Sequence, residues 1–177
     1  MKKALIVIDY TVDFVADDGK LTCGTPGQAI EGKITQLVKE YVETGNTVFF
    51  ANDLHEENDP YHPETRLFPP HNIKGTVGRD LFGTVKNAYD EYMNHKNVFS
   101  FDKTRYSAFA GTQLELYLRE RQINEIALVG VCTDICVLHT AVDAYNKGYK
   151  IIIYKEAVAS FNEIGHDWAL GHFKGSL

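Results

Sequence analysis

A chain of 177 residues, 44% hydrophobic and 24% charged, has the length of one ordinary domain and enough apolar surface to bury a core, which excludes a disordered or fibrous chain. Its formal charge of −6 comes from 24 acidic and 18 basic residues, the basic ones scattered singly. That pattern excludes nucleic acid and anionic membrane surfaces as expected partners, because both need a basic patch.

The start, MKKALIVIDY, places two lysines before an apolar run as a signal peptide would, but Asp9 interrupts the run. ALIVID at 4–9 therefore reads as a buried first strand. A helix opening at Thr25 or Pro26 follows, with Ile30, Ile34, Leu37, Val38 and Tyr41 at helical spacing and Gly45 as its stop. TVFFAND at 47–53 is the second strand. From Leu54 to Lys86 the chain is rich in proline and glycine and lacks periodicity, and a loop of that length inside a compact domain is usually functional. VFSF at 98–101 is a third strand, a helix is expected around Leu114, Leu118 and Ile123, and IALVGV at 126–131 is a fourth strand. The next helix begins near Thr133, carries Val137, Leu138, Ala141, Val142 and Tyr145, and ends at Gly148 before a fifth strand, KIIIYKEAV at 150–158. No apolar run is long enough to span a bilayer. Alternating strands and helices predict one α/β domain over residues 1–177, with a doubly wound, mainly parallel central sheet flanked by helices in Rossmann-like layers.

Ligands of such sheets bind beyond the carboxyl ends of the strands, so polar residues there are the first candidates for chemistry. Asp9 closes strand one, Asp53 closes strand two, Lys103 follows the third, and the fourth runs into GVCTDIC. With Thr133 as N-cap, Cys136 lies in a first helical turn, where free N–H groups and the helix dipole favour a thiolate and can stabilise an oxyanion. Free cysteines are more often small buried apolar residues, Asp9 can serve as a turn residue, and a lysine after a strand is usually solvated. A thiol, a carboxylate and a cation on three strand ends are more specific together than any one alone. Asp53 and His55, two apart, share one side of an extended segment, and with the later His71 they offer oxygen and nitrogen ligands for a divalent metal. Glu64 and His62 lie between them as further donors. Three cysteines, an odd number, argue against a disulfide framework and for a reducing cytoplasm.

The segments VIDYTVDF (7–14), ANDLH (51–55), FPPH (68–71), FDKTRYSAF (101–109) and GVCTDICV (130–137) together resemble the isochorismatase-like cysteine hydrolases, and within them the nicotinamidase branch. The resemblance implies that Asp9, Lys103 and Cys136 form a catalytic triad that hydrolyses nicotinamide, and its analogue pyrazinamide, through a cysteine thioester. It further implies a cis peptide between Val131 and Cys132 that presents the N–H groups of Cys132 and Cys136 as an oxyanion hole. Asp53, His55 and His71 match the metal ligands, with zinc expected ahead of iron or manganese. Some relatives carry a third histidine in the loop where this chain has Glu64 and His62, and Glu64 is the expected fourth ligand. Phe14, Phe68 and Tyr106 are expected to line the ring site, core packing being the alternative for Phe14. The product would feed NAD salvage in the cytoplasm, and the chain is compatible with a homo-oligomer.

Four other readings remain, of which a catalytically inactive binding module of the same fold would have no reason to keep all three triad residues beside a metal cluster. An amidase of the same superfamily acting on a carbamoyl or ureido group would use the same triad without the metal. Isochorismate hydrolysis does not use the cysteine. A redox protein would pair Cys132 with Cys136, although that spacing is not C-x-x-C.

Overall fold

Both faces of a five-stranded parallel sheet are covered by helices in the computed structural model, which describes residues 2–177. In chain order the elements are β1 (Lys3–Ile8), α1 (Val12–Val15), α2 (Gly24–Ala29), α3 (Glu31–Glu43), β2 (Thr47–Asp53), α4 (Gly83–Tyr92), β3 (Val98–Lys103) and α5 (Leu114–Glu120). There follow β4 (Glu125–Val131), a π-helical turn (Thr133–Val137), α6 (Leu138–Asn146), β5 (Lys150–Ala159) and α7 (Glu163–Ser176). The strand order is β3-β2-β1-β4-β5. Successive residues of the central strands face opposite cores: Leu5, Val7, Val48 and Phe50 pack with α3 and α4, while Ala4, Ile6, Ile8 and Phe49 pack with α5, α6 and α7. Because both faces are buried, these strands are apolar throughout instead of alternating with polar residues.

The order reverses between β1 and β4, which opens a crevice at their carboxyl ends. Gly130 makes the approach of these two strands possible. It adopts φ +112°, and a Cβ there would collide with the backbone carbonyl of Ile8.

Several expectations need correction. The helix expected from Thr25 or Pro26 is two segments, α2 and α3, broken at Ile30. The third strand continues through Asp102 to Lys103, an extension masked by the polar residues of an edge strand. The long loop is punctuated by 3-10 turns at Pro63–Arg66 and Val77–Arg79, and α4 begins at Gly83, inside the span expected to lack structure. Helices α4 and α7 were not foreseen, because each buries only two residues and so shows a weak apolar stripe. Tyr145, expected on the core face of α6, is 55% exposed.

Candidate active site

Asp9, Asp53 and Lys103 terminate three adjacent strands, and the turn after β4 adds Cys136. Asp9 is the first residue past β1 and sits in the left-handed region at φ +54°, a conformation that Asp tolerates better than most residues. The bend turns its fully buried carboxylate inward: Oδ1 accepts the Asp53 N–H at 2.7 Å, and Oδ2 lies 2.7 Å from Lys103 Nζ. The ammonium of Lys103, also buried, donates to the Arg105 carbonyl at 3.1 Å and to Cys136 Sγ at 3.6 Å. It is the cation that joins carboxylate and thiol.

Burial raises the Asp9 carboxyl to about 6; the Lys103 charge opposes the shift and the Asp53 charge adds to it. Burial likewise pushes the Cys136 thiol well above its usual value, with Lys103 pulling the other way and Asp9 and Asp53 reinforcing burial. Burial alone would lower Lys103, but the charges of Asp9, Cys136 and Asp53 hold it above the usual lysine range. Desolvation of the sulfur therefore opposes the thiolate that the backbone field of the turn favours. A protonated thiol needs a base. Thr133 is not the N-cap either; its hydroxyl meets His166 Nδ1 at 2.8 Å and ties the π turn to α7. The peptide between Val131 and Cys132 is cis.

The second cluster lies beside the first. Asp53, His55, Glu64 and His71 are all buried, and one ligand atom from each lies within 4.8 Å of the others. Asp53 Oδ2 is 2.6 Å from His55 Nε2 and 3.4 Å from His71 Nε2, and Glu64 Oε2 is 3.6 Å from His71 Nε2. Burial favours a neutral Asp53 carboxyl, but the two histidines and Lys103 outweigh it and hold the group well below the carboxylate range. His71 is anchored through Nδ1 to the Pro69 carbonyl at 2.8 Å, which fixes the ring. Its buried Nε2 has no hydrogen-bond partner and faces the two carboxylates. Burial lowers His71, but Asp53 and Glu64 outweigh it and raise the ring to about 10; a divalent cation in place of that proton would find two carboxylates and two imidazoles as donors. His62 does not compete. Its Nε2 meets the Thr104 carbonyl at 2.8 Å and its Nδ1 accepts the Glu64 N–H at 3.2 Å, so both ring nitrogens are committed.

Beside Cys136 a small cavity of about 20 Å³ is lined by Phe14, Glu64, Phe68, Tyr106, Cys132 and Cys136, while His55 and His71 line a neighbouring cavity that shares Glu64 and Phe68 with it. Phe14 is both core and lining; it packs edge-on to His71 with centroids 5.3 Å apart. Leu21, Ile135 and Phe161 also line the cavity and were not foreseen, because lone apolar residues in loops or in a single helical turn carry no periodic signal. Cys132, considered above as a redox partner of Cys136, has its Sγ 3.5 Å from Cys23 Sγ instead.

The isochorismatase domain matches residues 3–177. The chain is 65% identical to the uncharacterized isochorismatase family protein PncA of Bacillus subtilis, over all of this chain and 97% of that protein. Among solved structures, the nicotinamidase/pyrazinamidase PncA of Bacillus subtilis superposes with a TM-score of 0.97 at 61% identity, covering 99% of this chain and 96% of that one. A more distant structure, the pyrazinamidase of Pyrococcus horikoshii in complex with zinc, matches at a TM-score of 0.82 and 26% identity, over 98% of this chain and 95% of that one.

Proposed function

The chain belongs to the isochorismatase family, and from that premise we propose that it is a nicotinamidase that hydrolyses nicotinamide to nicotinate and ammonia. The observation that carries this reading is the adjacency of the two clusters around one small apolar cavity. A pyridine carboxamide has two handles, a ring nitrogen and an amide, and the cavity is lined both by the buried thiol of Cys136 and by Glu64, one of the four metal-fitting donors.

Asp9 is the general base, placed by its ion pair with Lys103 and raised by burial toward a pKa at which it can accept and return a proton near neutrality. It takes the proton of the Cys136 thiol, and the sulfur attacks the carboxamide carbon. Negative charge on the carboxamide oxygen is received by the N–H groups of Cys132 and Cys136. Asp9 then gives its proton to the departing ammonia, leaving a thioester on Cys136. Asp9 next takes a proton from water, whose oxygen attacks the thioester carbon, and that proton passes to the sulfur as nicotinic acid leaves and ionises to nicotinate in solvent. Lys103 stays charged throughout and keeps the ionised states of Asp9 and Cys136 accessible.

Asp53, His55, Glu64 and His71 are the residues that hold a divalent ion, and two nitrogen with two oxygen donors suit zinc. When bound, the ion supplies a Lewis-acidic anchor for the pyridine nitrogen, which orients the ring with its amide toward Cys136. Phe14, Phe68 and Tyr106 pack against the ring and exclude water. A carbamoyl or ureido substrate would leave the metal cluster without a task. The product suits NAD salvage in the cytoplasm, in keeping with three free cysteines.

Metal-replete, reduced protein should release ammonia and nicotinate in equal amounts from nicotinamide, and should also accept pyrazinamide. Benzamide, which lacks the ring nitrogen, should fall by at least about 100-fold in kcat/KM. Absence of turnover on nicotinamide overturns the assignment.

A further inference from the structure

Asn72 adjoins His71 and is fully buried, yet it has no place in the chemistry above. It holds a left-handed backbone at φ +46° and makes four polar contacts with four different residues. Its N–H donates to Asp13 Oδ2 at 2.7 Å, and its carbonyl accepts the His55 N–H at 3.1 Å. Its side-chain Oδ1 accepts the Thr11 hydroxyl at 2.9 Å, which turns Nδ2 toward Asp53 Oδ2 at 3.5 Å. The opposite amide orientation would set a carbonyl oxygen against a carboxylate, so the Thr11 hydroxyl in effect chooses which end of the amide faces Asp53.

We infer that Asn72 is a positioning residue for the metal cluster, oriented by Thr11 and Asp13. The geometry reaches three of the four ligands: His71 through the adjoining peptide, His55 through its backbone N–H, and Asp53 through the amide. The carboxylate oxygen it faces, Oδ2, also lies 2.6 Å from His55 Nε2 and 3.4 Å from His71 Nε2. Asp13 is anchored in turn, with Oδ1 accepting the Lys20 N–H at 3.2 Å and the carboxylate packed where a Cβ on Gly78 would have to be. The long loop is thus tied to the first turn after β1 by side chains that touch neither ring nor thiol. Partners that orient ligating carboxylates and imidazoles typically govern metal affinity by about 10- to 100-fold.

This inference rests on the metal reading of the cluster. The test is zinc affinity of metal-stripped protein by competition with a chromophoric chelator, paired with the thermal midpoint of the stripped protein. Asn72→Gly tolerates the positive φ and keeps both backbone bonds while removing the amide. It should weaken zinc binding about 10- to 100-fold with little change in the midpoint of the stripped protein. Thr11→Val should weaken zinc binding in the same direction, and Thr11→Ser, which keeps the hydroxyl, should return it to the wild-type value. Wild-type affinity in both Asn72→Gly and Thr11→Val overturns the role of Asn72, as does a loss that Thr11→Ser shares fully. If wild-type protein itself binds no zinc, the metal reading is what fails.

Discussion

The thiol cluster and the metal cluster are neighbours, but they are built by different means. Asp9 and Lys103 sit at or just past strand ends locked into parallel register, and Cys136 sits in the turn that leaves β4. Their placement is inherited from the sheet. Of the metal set, only Asp53 ends a strand; Glu64 and His71 stand on the loop between β2 and α4, held by isolated bridges at His55–Ile73 and Thr11–Leu81 and by the contacts of Asn72. The contrast teaches that the proposed nucleophile takes its position from the core of the fold, whereas the proposed substrate anchor takes its position from a loop that a bound metal would help to order.

That contrast can be broken at several points. Cys136→Ala should lower kcat by about 10⁴-fold or more while one metal per chain and the thermal midpoint are retained, since only a buried sulfur is lost. Turnover near wild type would remove the thiol from the mechanism. Chelation of the metal should abolish nicotinamide turnover and speed amide hydrogen exchange between residues 54 and 82, with β1 and β4 unchanged, and zinc should reverse both. Faster exchange spread through the sheet would show that the two regions are one cooperative unit. Glu64→Ala should weaken zinc by about 10-fold or more, because it deletes a charged donor at a buried site; unchanged affinity and metal content would leave three protein ligands. The smallest effect belongs to Tyr145→Ala, expected to change stability by less than about 0.5 kcal/mol in denaturant titration, because the ring is largely in solvent.

Legibility followed the same division. The central strands and the aspartates at their carboxyl ends could be read directly, because buried parallel strands are written as nearly unbroken apolar runs that Asp9 and Asp53 close, while the edge strand β3 hid its last two residues among polar ones. The loop was legible only as chemistry-bearing residue types. The bond of His62 Nε2 to Thr104 and the ties of Asn72 to Thr11 and Asp13 join residues 42 to 61 positions apart, which leave no local pattern. Asp13, four residues after Asp9 in a short and largely apolar helix, was the one sequence signal that could have pointed to the anchoring of the loop.

By itself the sequence determined the layered α/β architecture, the pairing of a thiol with a carboxylate and a lysine at strand ends, and the presence of a donor set for a metal. Periodicity and chain order carry the architecture and the strand-end placements, and the resemblance to the isochorismatase-like hydrolases carries the joint reading of thiol, carboxylate, lysine and donor set. Only the tertiary structure decided that Glu64 and not His62 joins the donor cluster, that burial pushes the Cys136 thiol up, and that Cys132 faces Cys23. Those outcomes turn on burial and on distances between remote segments, and both arise only when the sheet closes the crevice between β1 and β4.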